Sequence, residues 1–245
     1  MAEISYFTRA DGLKLAYRQI EGVGPVLVFL PGYMSDMAGG KATATLDWAV
    51  ANGRACLLLD YAGCGLSEGD FAKQTLTGWR DNVLAMIDAL VGGPVVLIGS
   101  SMGGWLMLMI GEALGDRLAG LIGIAPAPDF TRWGFNETRR ATVLANGVVY
   151  EDNPYGPEPT PTWRDLFESG EANVMLDRTI AIDCPVRLLH GQADADVPWK
   201  ISLKLADALR SSDVRVTLVK DGDHRLSRPE DIQLLLETIS QFPSA

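Results

Sequence analysis

The chain has 245 residues, a formal net charge of -10, 47% hydrophobic residues and 21% charged ones. That balance fits a soluble globular protein long enough to bury a full core. No basic run exceeds a pair, which argues against nucleic acid as a partner, because neutralising phosphates requires clustered cations. The three cysteines, Cys56, Cys64 and Cys184, form no C-x-x-C, so neither a zinc site nor a disulfide framework is expected. Reduced thiols predict a cytoplasmic protein. The first residues show no signal-peptide or presequence pattern. The longest apolar stretch, 94–110, is broken by Gly and Ser and is too short for membrane insertion.

In chain order, residues 4–8 and 14–19 read as a hairpin around the Asp11-Gly12 turn. Apolar runs follow at 25–30, 54–60, 94–99, 119–124, 185–190 and 214–219. Being apolar at nearly every position, they suit strands buried on both faces. Helical stretches at 40–51, 76–90, 102–114, 199–209 and 228–241 alternate with them. The alternation predicts an α/β fold with a mostly parallel sheet and helices on both sides. Residues 126–183 break the rhythm. Trp133, Phe135, Tyr150, Tyr155, Trp163 and Phe167 oppose a disordered linker there, despite the proline-rich run 153–161. The expectation is a small cap of short helices inserted into a core formed by 1–125 and 184–245.

The segment Val95-Val96-Leu97-Ile98-Gly99-Ser100-Ser101-Met102-Gly103-Gly104-Trp105 carries the chemistry. A buried strand runs into G-x-S-x-G and then into an apolar helix, the context of a nucleophile elbow. Ser101 alone has glycine two residues to either side, so Ser100 has at most a supporting role. Gly99 and Gly103 would remove side chains that collide with the neighbouring strand or helix. The helix N-terminus after Ser101 favours developing negative charge.

A serine hydroxyl needs a general base. The chain has two histidines, His190 and His224. His224 lies in a polar loop after the last strand, where open α/β sheets place their sites. It is the expected base. His190 ends its strand and is expected to pack or to fix the following loop. The orienting acid is expected to be Asp194. Asp196 stands close to a helix expected to start at Pro198, and capping would occupy it. Asp221 and Asp223 read as solvated loop residues. The order Ser101, Asp194, His224 is the Ser…Asp…His order of one hydrolase scaffold. An oxyanion hole is expected from the backbone amides of Met102 and Tyr33, with the Tyr33 ring against the acyl pocket.

The segments L-P-G-Y-M-S-D at 30–36, D-Y-A-G-C-G-L-S at 60–67, G-S-S-M-G-G-W at 99–105, H-G-Q-A-D-A-D-V-P at 190–198 and D-G-D-H-R-L at 221–226 together resemble the α/β-hydrolase superfamily. Within it they resemble the subfamily of a mitochondrial acyl-glucuronide esterase and palmitoyl-protein thioesterase. The resemblance implies the α/β-hydrolase fold, a triad of Ser101, Asp194 and His224, and carboxylic esters or acyl thioesters as substrates, including an acylated protein. No cofactor and no metal site are expected, since no H-E-x-x-H or similar cluster occurs. The chain departs from many relatives at Pro31, where they carry His, and at Cys64, where they also carry His. Gly63-Cys64-Gly65 fails as a dinucleotide loop because residue 68 is Glu68. Two other readings stay open: C–C bond hydrolysis or perhydrolysis on the same scaffold, and a non-catalytic ligand-binding protein.

Overall fold

A computed structural model describes residues 2–154 and 156–242, so Tyr155 lies outside the described residues. The strands are β1 (Ser5–Thr8), β2 (Lys14–Ile20), β3 (Val23–Leu30), β4 (Arg54–Leu59), β5 (Val95–Ser100), β6 (Leu118–Ile124), β7 (Val148–Glu151), β8 (Thr160–Trp163), β9 (Val186–Gly191) and β10 (Val214–Val219). Eight of them form one sheet in the order β1-β2-β4-β3-β5-β6-β9-β10. The first two join antiparallel, and every pair from β4 to β10 is parallel. Strands buried on both faces divide their side chains between two cores. On β5, Val95 and Leu97 face one core, and Val96 and Ile98 the other.

Helices α1 (Gly40–Ala51) and α8 (Pro229–Ser240) cover one face through Ala42, Leu46, Leu235 and Ile239. Helices α2 (Leu76–Leu90), α3 (Met102–Leu114) and α7 (Lys200–Ala208) cover the other. Helix α3 is buried on nearly all sides, and its apolar run Met102–Leu114 has no polar face to give to water. Each fully buried Leu or Val in this layer contributes about 1.5–3 kcal/mol.

Between β6 and β9 the chain leaves the sheet. It forms α4 (Phe130–Trp133), α5 (Glu137–Asn146), the antiparallel pair β7–β8 and α6 (Arg164–Ala172). Phe135, Val143, Val149 and Phe167 give these elements a small core of their own. The two-stranded pair differs from the expectation of helices alone. Its strands have four residues each, and Pro161 sits inside β8 opposite Tyr150. Proline removes a ladder donor and normally argues against a strand, but a two-stranded sheet has free edges that tolerate it. At the neck of the insertion, the Asp129 carboxylate accepts from the amides of Met175 (2.9 Å) and Leu176 (2.7 Å).

One boundary is corrected. Helix α7 starts at Lys200 with Trp199 at its cap, so Asp196 does not cap it and Pro198 precedes it. The turn is organised instead by Asp194, whose Oδ1 accepts from the amides of Asp196 (2.9 Å) and Val197 (2.8 Å).

Candidate active site

Strand β5 ends where the backbone must turn sharply into α3. Ser101 makes that turn at φ +53° and ψ -118°. An L-residue held at such angles stores about 1–3 kcal/mol of strain and persists only when its surroundings fix it. Those surroundings are visible. The Ser101 amide donates to the Ile124 carbonyl (2.9 Å), and the Ser101 carbonyl accepts from Gly104 and Ala127. A methyl on Gly103 would lie 2.1 Å from the Leu30 carbonyl oxygen, and one on Gly99 would lie 2.4 Å from that of Gly103. Both positions therefore exclude any side chain. Ser101 heads α3 without capping it through its side chain. Its Oγ lies 3.0 Å from His224 Nε2.

His224 sits in the loop after β10. Asp223 Oδ1 accepts from the Leu226 amide, and Lys41 Nζ on α1 donates to the Arg225 carbonyl and to Ser227 Oγ. Asp223 therefore organises its turn rather than standing as a merely solvated residue. His224 Nδ1 lies 2.8 Å from Asp194 Oδ2. A carboxylate only accepts, so Nδ1 carries the proton and Nε2 is left to accept from the Ser101 hydroxyl. The Asp194 side chain is fully buried, whereas that of His224 is 15% exposed. Burial alone would raise the Asp194 carboxyl. The hydrogen bonds from His190 and His224 and from the Val197 amide outweigh it, holding Asp194 well below the usual carboxylate range. Three residues far apart in sequence thus meet in one hydrogen-bonded line.

The loop after β3 runs along the serine. A methyl on Gly32 would touch Ser101 Cβ at 3.4 Å. The next amide, Tyr33, and the Met102 amide have no hydrogen-bond partner among the described residues. The Tyr33 ring packs on Phe71 (5.2 Å between centroids) and Trp79 (6.1 Å), and its hydroxyl donates to the Pro161 carbonyl at 2.6 Å. Sequence reasoning missed this bridge from the loop to β8, since no local pattern links residues 33 and 161. Burial pushes the Tyr33 phenol up, so it keeps its proton and remains a donor. Cys64 is buried, and burial beside Asp60 and Asp36 pushes its thiol up to about 12, which removes it as a nucleophile.

His190 packs and holds the loop that follows it, bonding Asp194 and the Val197 carbonyl. It is fully buried, with Nε2 3.1 Å from Asp194 Oδ2. Asp194, Asp196 and His224 bring donor atoms within 4.8 Å of one another. Asp194 and His224 already spend theirs on each other. A separate cleft of about 300 Å³ between Asp129, Trp133, Leu176 and Lys204 lies beside the insertion's neck and touches none of the three aligned residues.

The sequence matches the alpha/beta hydrolase family over residues 27–232. The chain belongs to that family. It is 40% identical over 243 residues to the mitochondrial palmitoyl-protein thioesterase ABHD10 of Homo sapiens, covering 98% of this chain and 79% of the relative. Two solved structures superpose closely at 37% identity. Alpha/beta hydrolase domain-containing protein 10 from mouse gives a TM-score of 0.92 with 98% of each chain covered. A putative hydrolase from Agrobacterium vitis S4 gives 0.93 with 99% of each covered. As a member of this alpha/beta hydrolase family with such relatives, the chain is an ester or thioester hydrolase. The mitochondrial relatives overturn the cytoplasmic expectation. Cysteines without a disulfide framework do not distinguish one reducing compartment from another. Among the described residues, no helix is long and apolar enough to cross a membrane.

Proposed function

We propose that Ser101, His224 and Asp194 are a catalytic triad that cleaves carboxylic esters and acyl thioesters through an acyl-enzyme. The observation that carries this is the unbroken line from Ser101 Oγ to His224 Nε2 (3.0 Å) and from His224 Nδ1 to Asp194 (2.8 Å). Ser101 Oγ attacks the acyl carbonyl while its proton passes to His224 Nε2. Asp194, ionised throughout, stabilises the imidazolium. The tetrahedral oxyanion is received by the amides of Tyr33 and Met102. His224 then protonates the departing alcohol or thiol, leaving an ester on Ser101. Water repeats the sequence, losing its proton to His224, and releases the carboxylic acid.

Residues 126–183 act as a cap over the core formed by 1–125 and 184–245, and shape the acyl site together with Tyr33. The substrates are small acylated molecules or S-acylated proteins. The name of the human relative, palmitoyl-protein thioesterase, favours a long acyl chain. Two measurements test the reading. A fluorophosphonate probe labels wild-type protein and not Ser101→Ala; equal labelling of both would end the triad assignment. Acyl esters and thioesters of graded length then report the substrate. Rising kcat/KM with chain length supports the long-chain assignment, and a flat series overturns it while leaving the triad intact.

A further inference from the structure

His190 lies behind the proposed triad in a place where its chemistry matters. Strand β9 delivers it, fully buried, four residues before Asp194. Its Nε2 faces two groups, Asp194 Oδ2 at 3.1 Å and the Val197 carbonyl at 3.0 Å. Both only accept, so Nε2 carries a proton and is shared between them. Its Nδ1 lies 2.7 Å from the hydroxyl of Ser202, which is buried on α7. A hydroxyl donating to Nδ1 would select the Nε2–H tautomer.

The carboxylate of Asp194 is therefore held at four points. Oδ1 accepts from the amides of Asp196 and Val197, and Oδ2 from His224 and His190. The two amides set the carboxylate plane. His190 sets how much of the Oδ2 charge His224 receives. We propose that His190, with Ser202 locking its tautomer, is a positioning residue that aims Asp194 at His224 and shares its charge. This rests on the triad reading. A second donor on Oδ2 competes with the His224 imidazolium for the same lone-pair density, so its removal strengthens the Asp194–His224 pair.

Other charged groups face His224. Asp194 and Asp196 approach from the loop after β9, and Ser101 from the elbow. Asp223 and Arg225 flank it in sequence, and Lys41 of α1 is bonded to the Arg225 carbonyl. The bonds of His190 and Ser202 reach only Asp194, the Val197 carbonyl and each other, so a shift on changing them reports the Asp194 Oδ2 bond and its loop.

The test is the pH profile of fluorophosphonate labelling and of ester kcat/KM, from roughly pH 5 to 9. For His190→Phe, the acid limb is expected to move up by about half a pH unit and the plateau to fall about tenfold. His190→Gln, whose amide nitrogen can occupy the Nε2 position and donate, is expected to keep the wild-type limb. Ser202→Ala is expected to move the limb in the same direction by a smaller amount, and it decides the matter if His190→Phe does not fold. A lowered plateau with an unmoved limb in both His190→Phe and Ser202→Ala would mean that His190 only packs, and the proposal would fall. Asp194→Asn serves as the separate control. If it labels like wild type, the triad reading itself fails, whatever His190 does.

Discussion

Deleting one oxygen, Tyr33→Phe, tests whether the loop carrying the proposed oxyanion amide is tied to the insertion. The ring contacts to Phe71 and Trp79 survive the change, because they involve the ring and not the hydroxyl. Only the 2.6 Å bond to the Pro161 carbonyl is lost. A neutral hydrogen bond in a half-buried setting contributes about 1 kcal/mol net, which is about fivefold in an equilibrium constant. If this bond clamps β8 to the core, the hairpin opens locally about five times more often. Amide hydrogen exchange reads that directly. Amides of the β7–β8 ladder should exchange about fivefold faster, and those of β5 and β6, which open with the whole fold, should speed up by no more than that. The melting temperature should fall by about 2–4 °C for a chain of this size. Long acyl substrates, which would lie beneath the insertion, should lose more kcat/KM than acetyl esters. Unchanged exchange in the hairpin would refute the clamp.

Four further outcomes follow from the geometry. Asp194→Asn should lower kcat by about 10³–10⁴-fold, the scale seen when a triad acid loses its charge and the imidazole its tautomer, with labelling kinetics as the check. Gly103→Ala should cut labelling at least about tenfold, because its methyl meets the backbone oxygens of Leu30 (2.1 Å) and Pro31 (2.5 Å), which cannot swing aside as a side-chain tip can. Gly93→Ala, with open space around the site, should label like wild type. The depressed Asp194 carboxyl fixes a sign for stability. Its contribution is fully present above its unfolded value of about 4 and is lost as pH falls further. The melting-temperature gap between wild type and Asp194→Asn should thus narrow progressively as pH falls below about 4.

The parts of this protein that were readable in sequence are those where one physical requirement dominates a short window. Runs such as Val95-Val96-Leu97-Ile98 leave no face for water, so a doubly covered strand is their one stable use. The Ser101 turn is legible because Gly99 and Gly103 are forced by backbone approaches under 2.5 Å, and sterics of that severity leave a trace in residue choice. Contacts between distant segments leave no such trace. The Tyr33–Pro161 bridge joins residues 128 apart, and nothing in either window announces the other. The β7–β8 pair escaped notice because four-residue strands carry too little alternation, and Pro161 argues locally against what the partner strand permits. Asp196 was misplaced for a related reason. Two aspartates competed for one turn, and Asp194 organises it through Oδ1 while offering Oδ2 to the histidines.

The Asp129 staple has a consequence for how this scaffold can change. Its carboxylate meets the Met175 amide across a sequence separation of 46, so the chain enters and leaves the insertion within the reach of one side chain. Strands β6 and β9 remain neighbours whatever is threaded between them. The entropy of closing such a loop grows only logarithmically, and doubling its length adds roughly 0.6 kcal/mol. A change in the insertion's length therefore adds little closure entropy at this neck. The neck at Asp129 leaves the sheet order independent of the insertion's length, and the Tyr33–Pro161 hydrogen bond is where the loop beside Ser101 stays tied to it.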